Sequence, residues 1–210
     1  MAMRVSIEAD ISTKHCNILS TRQQEIALTQ YHIAVIVGSL RKDSFNRKFA
    51  DAIAKLGPPD FIFKQVEIGD LPLYNQDDDD HPAPAVKRLK LDISDAQGVL
   101  FVTPEYNRSI PGVLKNAIDH ASRPYGQSAW IGKPAGLLGS SIGAIGSAIA
   151  QQELRNVLAY LDMPTLGQPE VFLTVNEATF DGDGKVNAKT EEFLQSWMNH
   201  YVDWVKKHSL

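Results

Sequence analysis

The sequence predicts an α/β fold, a doubly wound five-stranded parallel sheet with helices on both faces. Three observations carry that prediction. Short apolar, β-branched runs alternate with amphipathic stretches from residue 32 onward. The first run, His32 to Val37, is continuously apolar, as a strand buried on both faces is, and parallel strands need crossovers that helices supply. Three loops that leave strands are rich in Ser, Gly, Asn and Pro, and ligands of such sheets bind beyond the carboxyl ends of the strands.

The elements follow in order. His32 to Val37 ends at Gly38 and is the first strand. Phe45, Phe49, Ala52, Ile53 and Leu56 recur at helical spacing before Gly57-Pro58-Pro59 stops them. Phe61 to Ile68 alternates as the second strand. A Pro-rich, acidic loop from Leu71 to Pro84 precedes a short helix through Val86, Leu89 and Ile93. Gly98 to Val102 is the third strand, followed by a helix with Val113, Leu114, Ala117, Ile118 and Ala121 on one face. Ala135 to Gly139 is the fourth strand, Leu154, Val157, Leu158 and Leu161 mark another helix, and Val171 to Val175 is the fifth strand. The last helix is expected to show Phe193, Trp197, Tyr201, Trp204 and Val205 on one face.

A chain of 210 residues, 43% hydrophobic and 22% charged, has the composition of one globular domain with a full core. Residues 31–210 are read as that domain. Residues 1–30 are read as an N-terminal extension, expected to be mobile. Their mixture of Arg4, Lys14 and Arg22 with Glu8, Asp10 and Glu25 does not suit an acid-poor transit peptide, and no signal-peptide pattern is present. No apolar run is long enough to span a bilayer. The expected location is cytoplasmic. A net charge of −4 argues against nucleic-acid binding, which needs a basic surplus to neutralise phosphates. The single cysteine, Cys16, excludes an intrachain disulfide framework and multi-cysteine metal sites.

The first loop, Gly38-Ser-Leu-Arg-Lys-Asp-Ser-Phe-Asn46, leaves a strand and enters a helix. The unpaired N–H groups and positive dipole end of that helix then lie at the strand tips, where an anion is stabilised. Ser39, Ser44 and Asn46 add neutral donors, and Arg41 adds a charged fork that suits phosphate oxygens. A helix cap by Asp43 or Ser44 would explain part of the loop. It would not explain Arg41 and the remaining donors. The P-loop pattern and the dinucleotide fingerprint are both absent, so the expected ligand is a single terminal phosphate.

The second loop runs from Thr103 to Gly112, stiffened by Pro104 and Pro111, with Gly112 allowing close backbone approach. Tyr106 offers a flat apolar face for an aromatic ring system. Glu105 and Asn107 are expected to pair locally or with a neighbouring subunit. The third loop, Ser140 to Gly146, leaves room for a planar ligand. Asp77 to Asp80 with His81 read as a solvated loop rather than a metal site, and Asp181 to Gly184 as a turn. No metal is expected.

These motifs resemble those of the NADPH-dependent FMN reductases, a flavodoxin-like family that includes bacterial quinone and chromate reductases. The resemblance covers residues 32–207. The family's Gly-Ser-Leu-Arg-x-x-Ser-x-Asn corresponds to Gly38 to Asn46. Its Pro-Glu-Tyr-Asn, followed by Ser-x-Pro-Gly-x-Leu-Lys-Asn-Ala-Ile-Asp, corresponds to Pro104 to Asp119. The resemblance implies that Ser39, Arg41, Ser44 and Asn46 grip the FMN phosphate. It implies that Pro104, Glu105, Tyr106 and Asn107 line the isoalloxazine, and that Ser140, Ser141 and Gly143 close its other edge.

It further implies an FMN-dependent oxidoreductase that passes electrons from NADPH or NADH to quinones or other small acceptors, chromate and azo compounds among them. A homodimer or homotetramer follows by the same resemblance, with the helix after the second motif at the interface. No side-chain acid or base is expected to be indispensable, because the flavin carries the chemistry. Two departures stand out: His120 where many members have Trp, and Gly146-Ser147 where many have Gly-Gly. The alternatives are a flavodoxin-like electron carrier and a flavin-binding regulatory protein, both without substrate turnover.

Overall fold

A computed structural model describes residues 30–181 and 185–209. Residues 1–29, which make up nearly all of the expected extension and include Cys16, lie outside the described residues, as do Gly182, Asp183 and Gly184 of the expected turn. From Tyr31 onward the described residues belong to one compact unit.

Five strands form one parallel sheet: β1 (Tyr31–Val37), β2 (Phe61–Gln65), β3 (Gly98–Val102), β4 (Ala135–Ser141) and β5 (Phe172–Thr174), in the spatial order β2-β1-β3-β4-β5. That order is the flavodoxin-like one, with its switch point between β1 and β3. Among the described residues five α-helices connect and follow them: α1 (Phe45–Ala54), α2 (Pro84–Ser94), α3 (Gly112–Ala121), α4 (Ala148–Tyr160) and α5 (Ala188–His208).

Alternate residues of each central strand face opposite sides, so the sheet has two cores. Ala34, Ile36, Val99, Phe101 and Leu137 pack with Leu89, Ile93, Leu114, Ile118, Leu154 and Leu158 of α2, α3 and α4. Ile33, Val35, Val37, Leu100, Val102 and Leu138 pack with Phe49 and Ile53 of α1 and with Trp197, Tyr201 and Val205 of α5. Helices on both faces are what a fully apolar parallel sheet requires.

The strands at the edges differ from the sequence reading. β2 ends at Gln65, not Ile68. Phe61 and Phe63 belong to the α1/α5 core, whereas Val66 and Ile68 belong to the other. The backbone keeps its alternation past Gln65, with Val66 N bonded to Val35 O at 2.9 Å. It is the apolar residues that change from odd to even positions, and so from one core to the other. β4 runs on through Ser140 and Ser141, because β5 pairs with it at Ser140↔Leu173 and Ser141↔Thr174. Those two serines therefore lie in a strand rather than a loop. β5 itself is three residues long, shorter than Val171 to Val175.

The buried stripe of α5 is Leu194, Trp197, Met198, Tyr201, Val202 and Val205, and Phe193 is 40% exposed. Trp197, Tyr201 and Val205 lie on it as expected and Trp204 packs beside it, whereas Leu194 is buried in place of Phe193. Gly136 makes room for this helix: a Cβ there would stand 2.6 Å from the Tyr201 ring and 2.7 Å from Trp197. The Tyr201 hydroxyl is buried with no hydrogen-bond partner, and burial pushes the phenol well above its ordinary value. Tyr201→Phe removes that unsatisfied group while keeping the ring. It is expected to leave stability unchanged or raise it by about 1 kcal/mol, and a lower melting temperature would refute the assignment.

Candidate functional site at the strand tips

The site begins where β1 stops. Gly38 donates to the Val102 carbonyl at 2.9 Å, and a Cβ at Gly38 would stand 2.8 Å from Thr103 Oγ1. The chain thus turns across the end of β3 at a distance only glycine fits. Ser44 then caps α1, its hydroxyl accepting from Arg47 N at 3.4 Å. Ser39 and Ser44 are both buried. Arg41 is exposed: its guanidinium donates to the Asp43 carbonyl and lies 4.9 Å from the centre of the Phe45 ring.

Asn46 has a structural role as well. Its Nδ2 donates to Ser140 O at 3.1 Å, and its Oδ1 accepts from Ser140 N at 2.9 Å. The carboxamide pins the first turn of α1 to the tip of β4. One amide hydrogen remains for a ligand.

The second loop is built around a tight turn. Tyr106 and Ser109 exchange two backbone hydrogen bonds of 3.0 Å, and Asn107 and Arg108 between them have φ of 53° and 68°. Two positive φ values make this a type I′ turn, where Asn is well suited to the first place. Asn107 therefore stands at the corner of the turn, and the structure does not bring it to the cleft described below. Tyr106 is 51% exposed. Gly112 opens α3 with no atom within 4 Å of a Cβ position.

Glu105 faces Arg108 locally, Oε1 to Nη1 at 3.8 Å, and also reaches a distant helix. Its Oε2 accepts from Ile149 N at 3.0 Å and Ala150 N at 3.1 Å, the first free donors of α4. The position that would normally cap this helix, Ser147, has φ 71° and makes no side-chain cap bond. A carboxylate from the second loop supplies the cap instead, where the helix dipole favours negative charge. Ser147, at the expected Gly-Gly departure, thus takes the left-handed conformation glycine adopts most easily, and its Oγ accepts from Gln151 Nε2 at 3.1 Å. The other departure, His120, is buried, bonded to the Pro72 carbonyl at 2.9 Å and edge-on to Tyr74.

These segments enclose a cleft of about 200 Å³. It gathers Ser39, Arg41, Ser44 and Asn46 from the first loop and the start of α1. Pro104, Glu105 and Tyr106 come from the second loop, and Ser140 and Ser141 from β4. Asn107 and Gly143, the other two expected residues, do not line it. Phe45 and Ile142 do, although sequence reasoning did not single them out. Their adjacency to Ser44 and Ser141 was the available signal.

A larger cavity of about 290 Å³ lies among Pro72, His81, Lys90 and His120. Lys90 there donates to the Arg123 carbonyl, and burial pushes its ammonium below the ordinary value. The smaller cleft is the candidate site because it alone of the two joins a helix N-terminus to the strand tips.

The cleft fits FMN. Ser140 Oγ is buried at its wall without a partner, a polar atom that a bound ring edge would satisfy. Hydroxyls, a guanidinium and the start of α1 suit a terminal phosphate, and Tyr106 suits a planar ring. The NADPH-dependent FMN reductase family model matches residues 31–177. The chain belongs to that family.

The reductase is 54% identical over 175 residues to a 2-hydroxy-1,4-benzoquinone reductase of Burkholderia sp, covering 83% of this chain and 96% of the relative. It is 51% identical over 177 residues to a quinone reductase of Pseudomonas putida, covering 84% and 95%. A solved flavoenzyme, the NAD(P)H:(acceptor) oxidoreductase FerB of Paracoccus denitrificans, superposes with a TM-score of 0.82 at 45% identity. That match covers 86% of this chain and all of the other. The reductase is thus a flavodoxin-like, FMN- and NAD(P)H-dependent oxidoreductase. Among the described residues no helix is long and apolar enough to cross a membrane.

Proposed function

We propose that the reductase transfers electrons from NADPH or NADH to quinones and similar small planar acceptors at the strand-tip cleft. The observation that carries this reading is the convergence of three separate loops on one cleft with an orphaned hydroxyl in its wall. FMN, when bound, would supply the two-electron redox chemistry between nicotinamide and acceptor. The chain's residues bind and orient. Ser39, Ser44, Arg41 and the first N–H groups of α1 hold the phosphate, and Asn46 fixes β4 against that helix. Tyr106, Pro104 and Ile142 exclude water from the ring, and Ser140 Oγ bonds its polar edge.

The names of the Burkholderia and Pseudomonas relatives support quinones as the acceptor class. A homodimer or homotetramer is the proposed assembly. Tyr125 and Tyr160 are 87% and 78% exposed and border one surface recess with Ile131, an apolar area suited to a second copy. A cytoplasmic location accords with the use of reduced nicotinamide.

The purified protein is expected to be yellow, to bleach on adding NADPH or NADH under nitrogen, and to consume nicotinamide steadily when a quinone is supplied. Bleaching without turnover would reduce it to an electron carrier. Arg41→Ala removes a charge-assisted bond worth about 1.5–3 kcal/mol. It is expected to weaken FMN binding by roughly 10- to 150-fold, measured by fluorescence titration of the apoprotein. Unchanged affinity would show that the phosphate lies elsewhere.

A further inference from the structure

Arg108 occupies the second central position of the Tyr106–Ser109 turn with φ 68°. Glycine takes that position of a type I′ turn without steric conflict, and an arginine there holds a strained backbone. The fold gains little in return. The Arg108 side chain is 64% exposed and makes no hydrogen bond to any described residue. Its nearest opposite charge is Glu105 Oε1 at 3.8 Å, and the other oxygen of that carboxylate already accepts from two N–H groups of α4. A strained residue with little structural return, beside a ligand cleft, points to a ligand.

What the charge faces decides the ligand's chemistry. Glu105 and Tyr106 both line the cleft, and the Arg108 guanidinium, 3.8 Å from Glu105 Oε1, lies just outside that lining. Ile142, also in the lining, is 79% exposed. The arginine within the lining, Arg41, is held by the Asp43 carbonyl and the Phe45 ring. A flat apolar body against Tyr106 and Ile142, carrying one anionic oxygen toward Arg108, satisfies all of these groups at once.

We propose that Arg108 is a specificity-determining residue that selects planar acceptors bearing an ionised oxygen, such as a hydroxyquinone enolate or an aromatic carboxylate. This rests on the reading above that acceptors dock at the strand-tip cleft. Arg108 exchanges no proton or electron with the acceptor; it holds the anion while the ring is reduced.

The FMN-loaded wild type, R108G and R108K are titrated by calorimetry with 2-naphthoate and with 2-naphthamide, which share a shape and differ in charge. The wild type is expected to prefer the carboxylate by roughly fivefold to tenfold. R108G should abolish the preference, and R108K should keep most of it. In turnover, the ratio of kcat/KM for 2-hydroxy-1,4-naphthoquinone to that for 1,4-naphthoquinone should fall by a similar factor in R108G. Because glycine suits the turn, R108G should melt no lower than wild type, so a folding defect would not imitate the result. A wild type with no preference for the anion overturns the inference, and so does R108G retaining that preference, in a protein that still binds FMN and turns over. Failure to take up FMN would sink the proposed function and this inference with it.

Discussion

Gly139→Ala is expected to lower the melting temperature of the reductase by about 6–12 °C and to reduce the FMN it carries. Gly139 lies in β4 where the sheet meets both the second loop and the start of α4. A Cβ there would stand 2.1 Å from the Thr103 carbonyl oxygen and 2.3 Å from Ser147 Oγ. The first of these is backbone at the tip of β3, tied by Thr103 N to Leu138 O at 3.0 Å, and it has no rotamer by which to withdraw.

Relief requires β3 and β4 to separate, at a cost of about 3 kcal/mol. Strand separation at that level also displaces Ser140, which Asn46 clamps on the other side. Gly112→Ala is the control, because nothing lies within 4 Å of its Cβ position. Thermal denaturation of the two variants beside wild type decides it: similar melting temperatures for all three would mean the strand tips are less tightly packed than described.

Glu105→Ala is expected to destabilise the reductase by about 2–4 kcal/mol, with the loss centred on the first turn of α4. Two N–H groups share one carboxylate oxygen, and Ser147 offers them no side-chain substitute. Removing the carboxylate leaves the start of a 13-residue helix uncapped beside the cofactor cleft. Glu105→Gln keeps an acceptor but loses the charge, so it should fall between alanine and wild type. Denaturant unfolding gives the magnitude. Amide exchange at Ile149 and Ala150 gives the location. Stability within about 0.5 kcal/mol of wild type for the alanine variant would show that water caps the helix as well as Glu105 does.

The central strands were legible because their surroundings leave one solution. Gly98 to Val102 is apolar throughout, is buried on both faces, and forms β3 with the bounds the sequence suggests. The edge strands were not, because their lengths depend on a neighbour far along the chain. β4 extends through Ser141 only because β5 lies beside it. The change of apolar residues from odd to even positions after Gln65 is visible in the sequence, but it becomes interpretable only once each face has its own core. On α5, Leu194 is buried in place of Phe193, on the same stripe as Trp197 and Tyr201, which close on Gly136.

At the site, the sequence alone supplied the residue types on which the proposed chemistry rests. Gly38 to Asn46 places hydroxyl, amide and guanidinium donors on a strand-to-helix turn, which we propose as the phosphate site, and Pro104 to Tyr106 supplies the segment proposed to face the ring. Both are local patterns, set by residue type and spacing within one loop. Tertiary structure decided which residues touch the cleft and which hold it together. Asn46 and Glu105 both border the cleft, yet each spends its polar atoms on a segment more than 40 residues away. Asn107 serves the turn, and the Ser140 hydroxyl is left free in the wall. The partner of a buried polar group is chosen by what the fold brings within about 3 Å, and no spacing along the chain encodes that distance.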